Sequence, residues 1–210
     1  MRLYTAILTI AILVGASLGA YTDVSAETTS GPGAAIAQTV AEIQQALHQT
    51  PVSDSDVVTQ REALDRILRS RVSHEDMAKR ALGAQWGMLT DPQRQEFTGL
   101  FLTLLRDTFA HHVAQLTDNR IDVLAEQQND ATHAEVQTRL SGSKVDTPVD
   151  FRLLHRNEEW LVYDVVVDGA SLVQNYRAQM ARVIKAGSYT SLVEQLKARA
   201  VSVTHVGSAH

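Results

Sequence analysis

The chain has 210 residues, 44% of them hydrophobic and 20% charged, a balance ordinary for a globular protein able to bury a sizeable core. Its formal net charge is -5 and it contains no cysteine. The acidic balance leaves no basic face to neutralise the phosphates of a nucleic acid. The missing thiol excludes a disulfide framework, a thiolate nucleophile, a Cys-ligated metal and a lipidated cysteine behind a leader.

Residues 1–26 read as a secretory signal peptide, cleaved before Glu27. Arg2 supplies the positive end, residues 3–20 form an almost uninterrupted apolar run, and Val24-Ser25-Ala26 offers small residues at the cleavage positions. The competing reading is an N-terminal membrane anchor, for which the run is borderline in length. Cleavage removes one Arg and one Asp, so the exported chain keeps its net charge. Residues 27–33 then read as a flexible lead-in, residues 34–200 as one α+β domain, and residues 201–210 as a frayed tail.

Ile36, Val40, Ile43 and Leu47 mark an amphipathic helix that ends near Pro51. A second helical pattern covers residues 56–72, with Ala63, Leu64, Ile67 and Leu68 on one side. Ser73 caps a short third helix whose first turn carries Glu75 and Asp76, where the helix dipole favours acids. Gly83 stops it, and Gln85-Trp86-Gly87 connects onward. Thr90-Asp91-Pro92-Gln93 is the clearest helix start: Thr90 caps, Gln93 completes a capping box, and Pro92 sits in the first turn. This longest helix is predicted to reach about Leu116, with Phe97, Leu100, Phe101, Leu104, Leu105, Thr108 and Val113 at helical spacing.

Strands follow. Ile121, Val123 and Ala125 alternate with polar residues, and Asn129-Asp130 turns the chain. Ala134, Val136, Thr138 and Leu140 alternate next, and residues 141–147 form a polar loop. Val149, Phe151 and Leu153 make a third alternation, and Asn157-Glu158 turns into residues 160–167, a β-branched and aromatic strand stopped by Asp168-Gly169. Short turns between consecutive strands predict an antiparallel four-stranded meander with one solvated face. Ser171 then caps a helix with Gln174 as its box partner, and Leu172, Tyr176, Met180 and Val183 form one stripe up to Gly187. A last helix spans residues 188–200. The fold class is α+β, with helices packed on one face of a curved sheet.

Chemistry is scarce. Ser141-Gly-Ser-Lys144 matches an S-x-x-K pattern, but it lies in a loop between strands rather than opening a helix, and no partner motif follows. Among the eight histidines, His111 and His112 are adjacent on a helix and point in different directions, and no pair stands at i, i+4. No metal or cofactor is called for. Asp150 and Asp164 are general-base candidates only if buried, and the solvated face of the sheet is the simpler place for them. Ser171 and the free backbone N–H groups beside it suit an anion, although an ordinary N-cap explains them equally well.

With these residues in view, the chain resembles the MlaC or toluene-tolerance family, periplasmic phospholipid carriers that serve an ABC transport system. The matching pieces keep family order from about Asp76 to Leu196. They are Met77-Ala78-Lys79-Arg80-Ala81-Leu82-Gly83 with Trp86, and Thr90-Asp91-Pro92-Gln93-Arg94 with Phe97 and Phe101. After them come Val149-Asp150-Phe151-Arg152-Leu153, Trp160-Leu161-Val162-Tyr163-Asp164-Val165, and Gly169-Ala170-Ser171-Leu172-Val173 with Tyr176-Arg177; Gly187 and Leu192 close the set. Phe109-Ala110-His111-His112 departs from the family, whose members more often carry a Tyr followed by small residues there.

The resemblance implies an NTF2-like α+β fold with an apolar pocket between sheet and helices that takes acyl chains and leaves the head group at its mouth. It also implies two partners: an outer-membrane lipoprotein complex, and an inner-membrane complex of ATPase, permease and MCE-domain ring. Each methylene withdrawn from water is worth ~0.8 kcal/mol, so a lipid with about thirty of them crosses an aqueous space only inside a sealed apolar cavity. The pocket-lining set expected from stripe and family position is Trp86, Phe97, Phe101, Leu104, Leu105, Val165, Val167, Leu172, Tyr176 and Met180, with Ser171 near the head group. Two other cargo or function classes stay open: a hopanoid-like lipid in the same pocket, and a chaperone with an open groove. An enzyme on the same fold ranks below both, with only Asp150, Asp164 and His155 as candidate groups.

Overall fold

The structure is a computed structural model that describes residues 31–47, 54–113, 119–142 and 146–206. The expected signal peptide and most of the lead-in lie outside the described residues, as do Leu116, Lys144 of the S-x-x-K match and His210 of the tail. Among the described residues, six helices and an antiparallel sheet form the α+β fold: α1 (Pro32–Leu47), α2 (Asp54–Arg71), α3 (His74–Leu82), a 3-10 turn (Gly83–Met88), α4 (Asp91–Val113), β1 (Arg120–Gln128), β2 (His133–Ser141), β3 (Asp146–Arg156), β4 (Glu159–Val167), β5 (Ala170–Ser171), α5 (Leu172–Ala186) and α6 (Tyr189–Val206).

The sheet runs in the order β1-β2-β3-β4-β5, a meander as expected, with a short fifth strand added. That strand follows from the turn before it. Asp168 and Gly169 both have positive φ, 49° and 77°, and Val167 pairs with Ala170 across them. This is the two-residue hairpin geometry that an Asp-Gly pair favours, so the chain folds back on β4 before entering α5. Asn157 and Glu158, at φ 51° and 65°, turn β3 into β4 in the same way. The edge of β4 near its middle is closed by a parallel bridge from Val72, and the Ser73 N–H donates to the Val162 carbonyl at 2.8 Å.

Two irregularities bend the sheet. In the β1–β2 ladder Val123 faces Thr138 and Ala125 faces Gln137, leaving Leu124 as an extra residue. In the β3–β4 ladder Arg152 faces Asp164 and Leu153 faces Val162, leaving Tyr163 as the extra one. A β-bulge of this kind shifts the in–out alternation by one residue and increases local twist. Beyond it, Val165 stands opposite Phe151 on the same face as Val162.

Helix ends depart from the sequence expectation in instructive ways. α1 begins at Pro32, inside the expected lead-in, since Pro at the first helical position loses no useful N–H. α6 continues to Val206, past residue 200. Thr90 and Gln93 do pair: the Thr90 N–H and hydroxyl both donate to Gln93 Oε1, at 2.9 and 3.1 Å. Ser73 does not cap α3; its hydroxyl donates to Asp76 Oδ2 at 2.7 Å, and Asp76 in turn receives Arg156 at 2.9 Å.

The described residues form three apolar clusters. The largest is purely helical at its centre: Met77 and Ala78 of α3, Trp86, Phe97 and Phe101 of α4, Tyr176 and Met180 of α5, and Leu192 of α6. Phe97 stacks on Phe101 with centroids 5.8 Å apart, and Tyr176 meets Phe101 edge-on at 5.5 Å. A second cluster sets Ala35 and Ile36 of α1 on Ala134, Val136, Leu153 and Val162 of the sheet. A third, small one joins α1 to α2 through Ile43, Leu47 and Leu64.

Candidate functional site

The α1–α2 pair does not close fully onto the sheet. Between them lie two apolar cavities whose walls consist of described residues. The larger, about 110 Å³, is walled by Ile67, Leu68 and Arg71 of α2, Val72 just after it, Met77 of α3, Leu102 and Leu105 of α4, Phe151, Val162 and Val165 of the sheet, and Leu172 at the start of α5. The smaller, about 60 Å³, lies between Ile36, Val40 and Gln44 of α1 and Ile121 of β1. Thr39, Ile43 and Phe151 line both and form the partition between them.

The larger wall is apolar but for two side chains. Thr39 Oγ1 spends its proton on the Ala35 carbonyl at 2.7 Å, so it offers little to a ligand. Arg71 is the charged residue of that wall. Its guanidinium clamps Glu42 of α1 with two bonds, Nη2 to Oε1 at 2.5 Å and Nε to Oε2 at 3.2 Å. The pair is partly exposed, 23% for Arg71 and 33% for Glu42, and holds the Glu42 carboxyl below its ordinary 4.5. The hydrogen bond from Arg71 is the main cause, opposed by partial burial and helped by the cationic charge.

The expected lining residues divide into three groups. Leu105, Val165 and Leu172 line the larger cavity. Trp86, Phe97, Phe101, Leu104, Tyr176 and Met180 line neither cavity; they build the helical core, where Phe97 and Phe101 are fully buried. Val167, opposite Val149 at the end of β4, is 45% exposed. Thr39, Ile43, Ile67, Met77, Leu102, Phe151 and Val162 line the larger cavity as well and are not in the set expected from sequence. Ile43 and Ile67 belong to the apolar sides that the sequence marks on α1 and α2.

Ser171 is also committed elsewhere. Its Oγ accepts the Gln174 N–H at 3.1 Å, as the capping box predicts, and donates to Asp164 Oδ2 at 2.6 Å. It does not line the larger cavity. Asp164 corrects the surface expectation: it is 4% exposed, because Oδ1 accepts the Val173 N–H, Oδ2 accepts Ser171, and Arg152 pairs with it at 3.1 Å. These bonds tie β4 to the start of α5 and to β3, which makes it a structural carboxylate. Asp150 is half-buried on β3. His155 packs on Trp160, centroids 4.8 Å apart, with Nε2 buried and without a hydrogen-bond partner. Among the described residues no three His, Asp or Glu groups converge as a metal cage would need, and no helix is long and apolar enough to cross a membrane.

An α+β sandwich with apolar space between a curved sheet and a helical pair, and one ion pair at its rim, defines a class of small-molecule-enclosing binding domain. The match to the family model for the MlaC protein covers residues 37–198, and the chain belongs to that family. Among solved structures it is similar to a phospholipid-binding protein from Ralstonia solanacearum, determined in complex with a phospholipid. The TM-score is 0.72 at 22% identity, over 82% of this chain and 98% of that one. No curated protein matches the chain.

Proposed function

We propose that this protein is an exported lipid carrier that takes phospholipid acyl chains between its sheet and α1–α2. The observation that carries this is the position of the two apolar cavities. They adjoin across three side chains, and the larger has its one charged residue at the rim. Family membership and the likeness to a phospholipid-bound structure support the same reading.

The volumes set a mechanical requirement. A cavity of ~150 Å³ accepts a benzene, so the larger space holds less than one ring at about 110 Å³. Two acyl chains need several times more. The helical core around Phe97 and Phe101 is close-packed, whereas α1 meets α2 through a small cluster and rests on the sheet, and α2 borders α4 across the larger cavity. Withdrawal of α1 from the sheet, carrying Thr39 and Ile43 with it, fuses the two spaces into one. The pocket-lining set we propose is therefore Thr39, Ile43, Ile67, Leu105, Phe151, Val162, Val165 and Leu172. A carrier needs no catalytic group, and Asp164, the most buried carboxylate described, is consumed by structure.

In this reading residues 1–26 are cleaved on export, and the domain works in the periplasm. It would exchange lipid with an outer-membrane lipoprotein complex and with an inner-membrane MCE-domain transporter, as an auxiliary component of an ABC system that maintains outer-membrane lipid asymmetry. Transfer between a bilayer and a hydrocarbon-like pocket is near neutral in free energy, so the partner complexes control loading and release. The test is transfer of a fluorescent phospholipid between separated donor and acceptor vesicles. The carrier reading predicts transfer that rises with protein concentration and stops when residues 31–47 are cross-linked to β1. Transfer no faster than the spontaneous rate contradicts it, and binding of unfolded polypeptide in its place moves the assignment to a chaperone.

A further inference from the structure

The Glu42–Arg71 pair stands between two different environments. On its outer side an open groove between α1 and α2 is lined by Glu42, Gln45, Ala63, Arg66, Ile67 and Ser70. On its inner side the apolar cavity is lined by Arg71 and, again, Ile67. The pair and Ile67 are thus the partition between water and the apolar interior, with Arg66 on the water side of it.

We propose that this groove is the entrance of the cavity, and that Arg71 is its phosphate-binding residue, with Glu42 seated on the guanidinium until the phosphodiester of an entering lipid replaces it. The assignment rests on the carrier reading above and adds to it the place and chemistry of head-group recognition. Three observations carry it. Arg71 is the charged residue of the cavity wall, so an amphiphile whose chains fill that wall brings its polar end to this guanidinium. The planar fork of Arg, already engaged by two carboxylate oxygens, fits two phosphate oxygens equally well. The ion pair is partly exposed to water, so replacing one anion by another on the guanidinium changes its net stability little.

The exchange has a mechanical consequence. Glu42 belongs to α1 and Arg71 to the end of α2, and their bond ties the two helices across the groove. A phosphate that takes over the guanidinium releases Glu42 and with it α1, the helix whose residues divide the two cavities. Binding of the head group and enlargement of the space for the chains become one event. Lipids without a phosphate lack the group that displaces Glu42.

The experiment compares two lipids with the same acyl chains, phosphatidylglycerol and diacylglycerol, each offered in neutral carrier vesicles to the full exported chain. Bound lipid per protein is measured after separation, for wild type, Arg71→Gln, Arg71→Lys and Glu42→Gln. Arg71→Gln is expected to lose about tenfold in phosphatidylglycerol retention and nothing for diacylglycerol. Arg71→Lys falls between, because a point charge replaces a fork, and Glu42→Gln gains phosphatidylglycerol by removing the competitor. Inorganic phosphate alone is expected to leave the unfolding midpoint of the wild type unchanged; a rise abolished by Arg71→Gln means a free-anion site and overturns the assignment. Equal loss of both lipids in a folded Arg71→Gln chain, or no loss of either, also overturns it while leaving the carrier reading intact. A wild-type chain that takes up neither lipid overturns the carrier reading, and this assignment with it.

Discussion

Ser171 donates to Asp164 across the β4–α5 junction at 2.6 Å, while the Val173 N–H donates to the other carboxylate oxygen at 3.1 Å. One buried side chain thereby secures the start of α5, the helix whose first residue, Leu172, walls the cavity. Arg152 closes the arrangement from β3 at 3.1 Å. Asp164→Ala leaves the Ser171 hydroxyl and the Val173 N–H without their acceptor and Arg152 with Glu135 alone, and the expected loss is ~2–3 kcal/mol. Urea unfolding of the purified variant measures it, and a loss below about 1 kcal/mol contradicts this account of the junction.

Leu104 and Leu172 separate core from cavity. Leu104 is 6% exposed within the helical core, and a carboxylate there has no partner. Leu104→Asp should fail to fold, as seen by circular dichroism. Leu172 is half-buried on the cavity wall, so Leu172→Asp should fold with a lowered midpoint and lose bound lipid. A folded Leu172→Asp chain that keeps its lipid removes Leu172 from the lining.

That contrast marks what the sequence could and could not convey. The helices, the meander and its turns were legible because period, caps and the Asn157-Glu158 and Asp168-Gly169 turns are local signals. The stripe of Phe97, Phe101 and Leu104 announced burial, but an apolar face does not say whether its counterpart is a ligand, a strand or another helix. Here the counterparts are Tyr176, Met180 and Leu192, on helices distant in sequence. Asp164 looked like a surface residue on an alternating strand. The bulge at Tyr163, set by pairing with β3, is invisible in β4 itself and shifts the faces beyond it. Arg71 was one of four arginines on α2, and only the packing of α1 shows which one reaches the cavity.

Phe151 lines both cavities, so shortening it should join them. Phe151→Ala is expected to cost ~3 kcal/mol or somewhat more, from lost burial and the space left behind. Lipid uptake from vesicles should become faster, since the partition no longer has to be moved aside. Uptake slower than wild type, in a chain that remains folded, contradicts the role of Phe151 as a partition.

Glu42 gives the fold a pH dependence of known sign. Its carboxyl lies below the ordinary 4.5 because Arg71 donates to it, so the folded state binds that proton less readily than the unfolded chain does. The tether between α1 and α2 is therefore fully present above pH 4.5 and is lost as pH falls through the lowered folded value. Hydrogen exchange in α1 should speed up on going from neutral pH to about pH 3, after correction for the intrinsic rate. Glu42→Gln should be loosened at both and show little further change. An acid response of α1 that survives in Glu42→Gln assigns it to other carboxylates.

Tyr176 offers a control inside the core. Thr108 Oγ1 gives its proton to the Leu104 carbonyl at 2.9 Å, so the Tyr176 hydroxyl is the donor in the 2.8 Å contact between them. Tyr176→Phe should cost ~1 kcal/mol in stability and leave lipid retention as in the wild type. Loss of lipid in this variant would return the helical core to the binding site.

The most direct measurement is native mass spectrometry of the exported protein purified without detergent, followed by solvent extraction of whatever accompanies it. The account predicts a stoichiometric adduct that extracts as phospholipid. An adduct of hopanoid mass keeps the cavity and changes its cargo. A clean protein mass that persists after incubation with phospholipid vesicles contradicts the central claim.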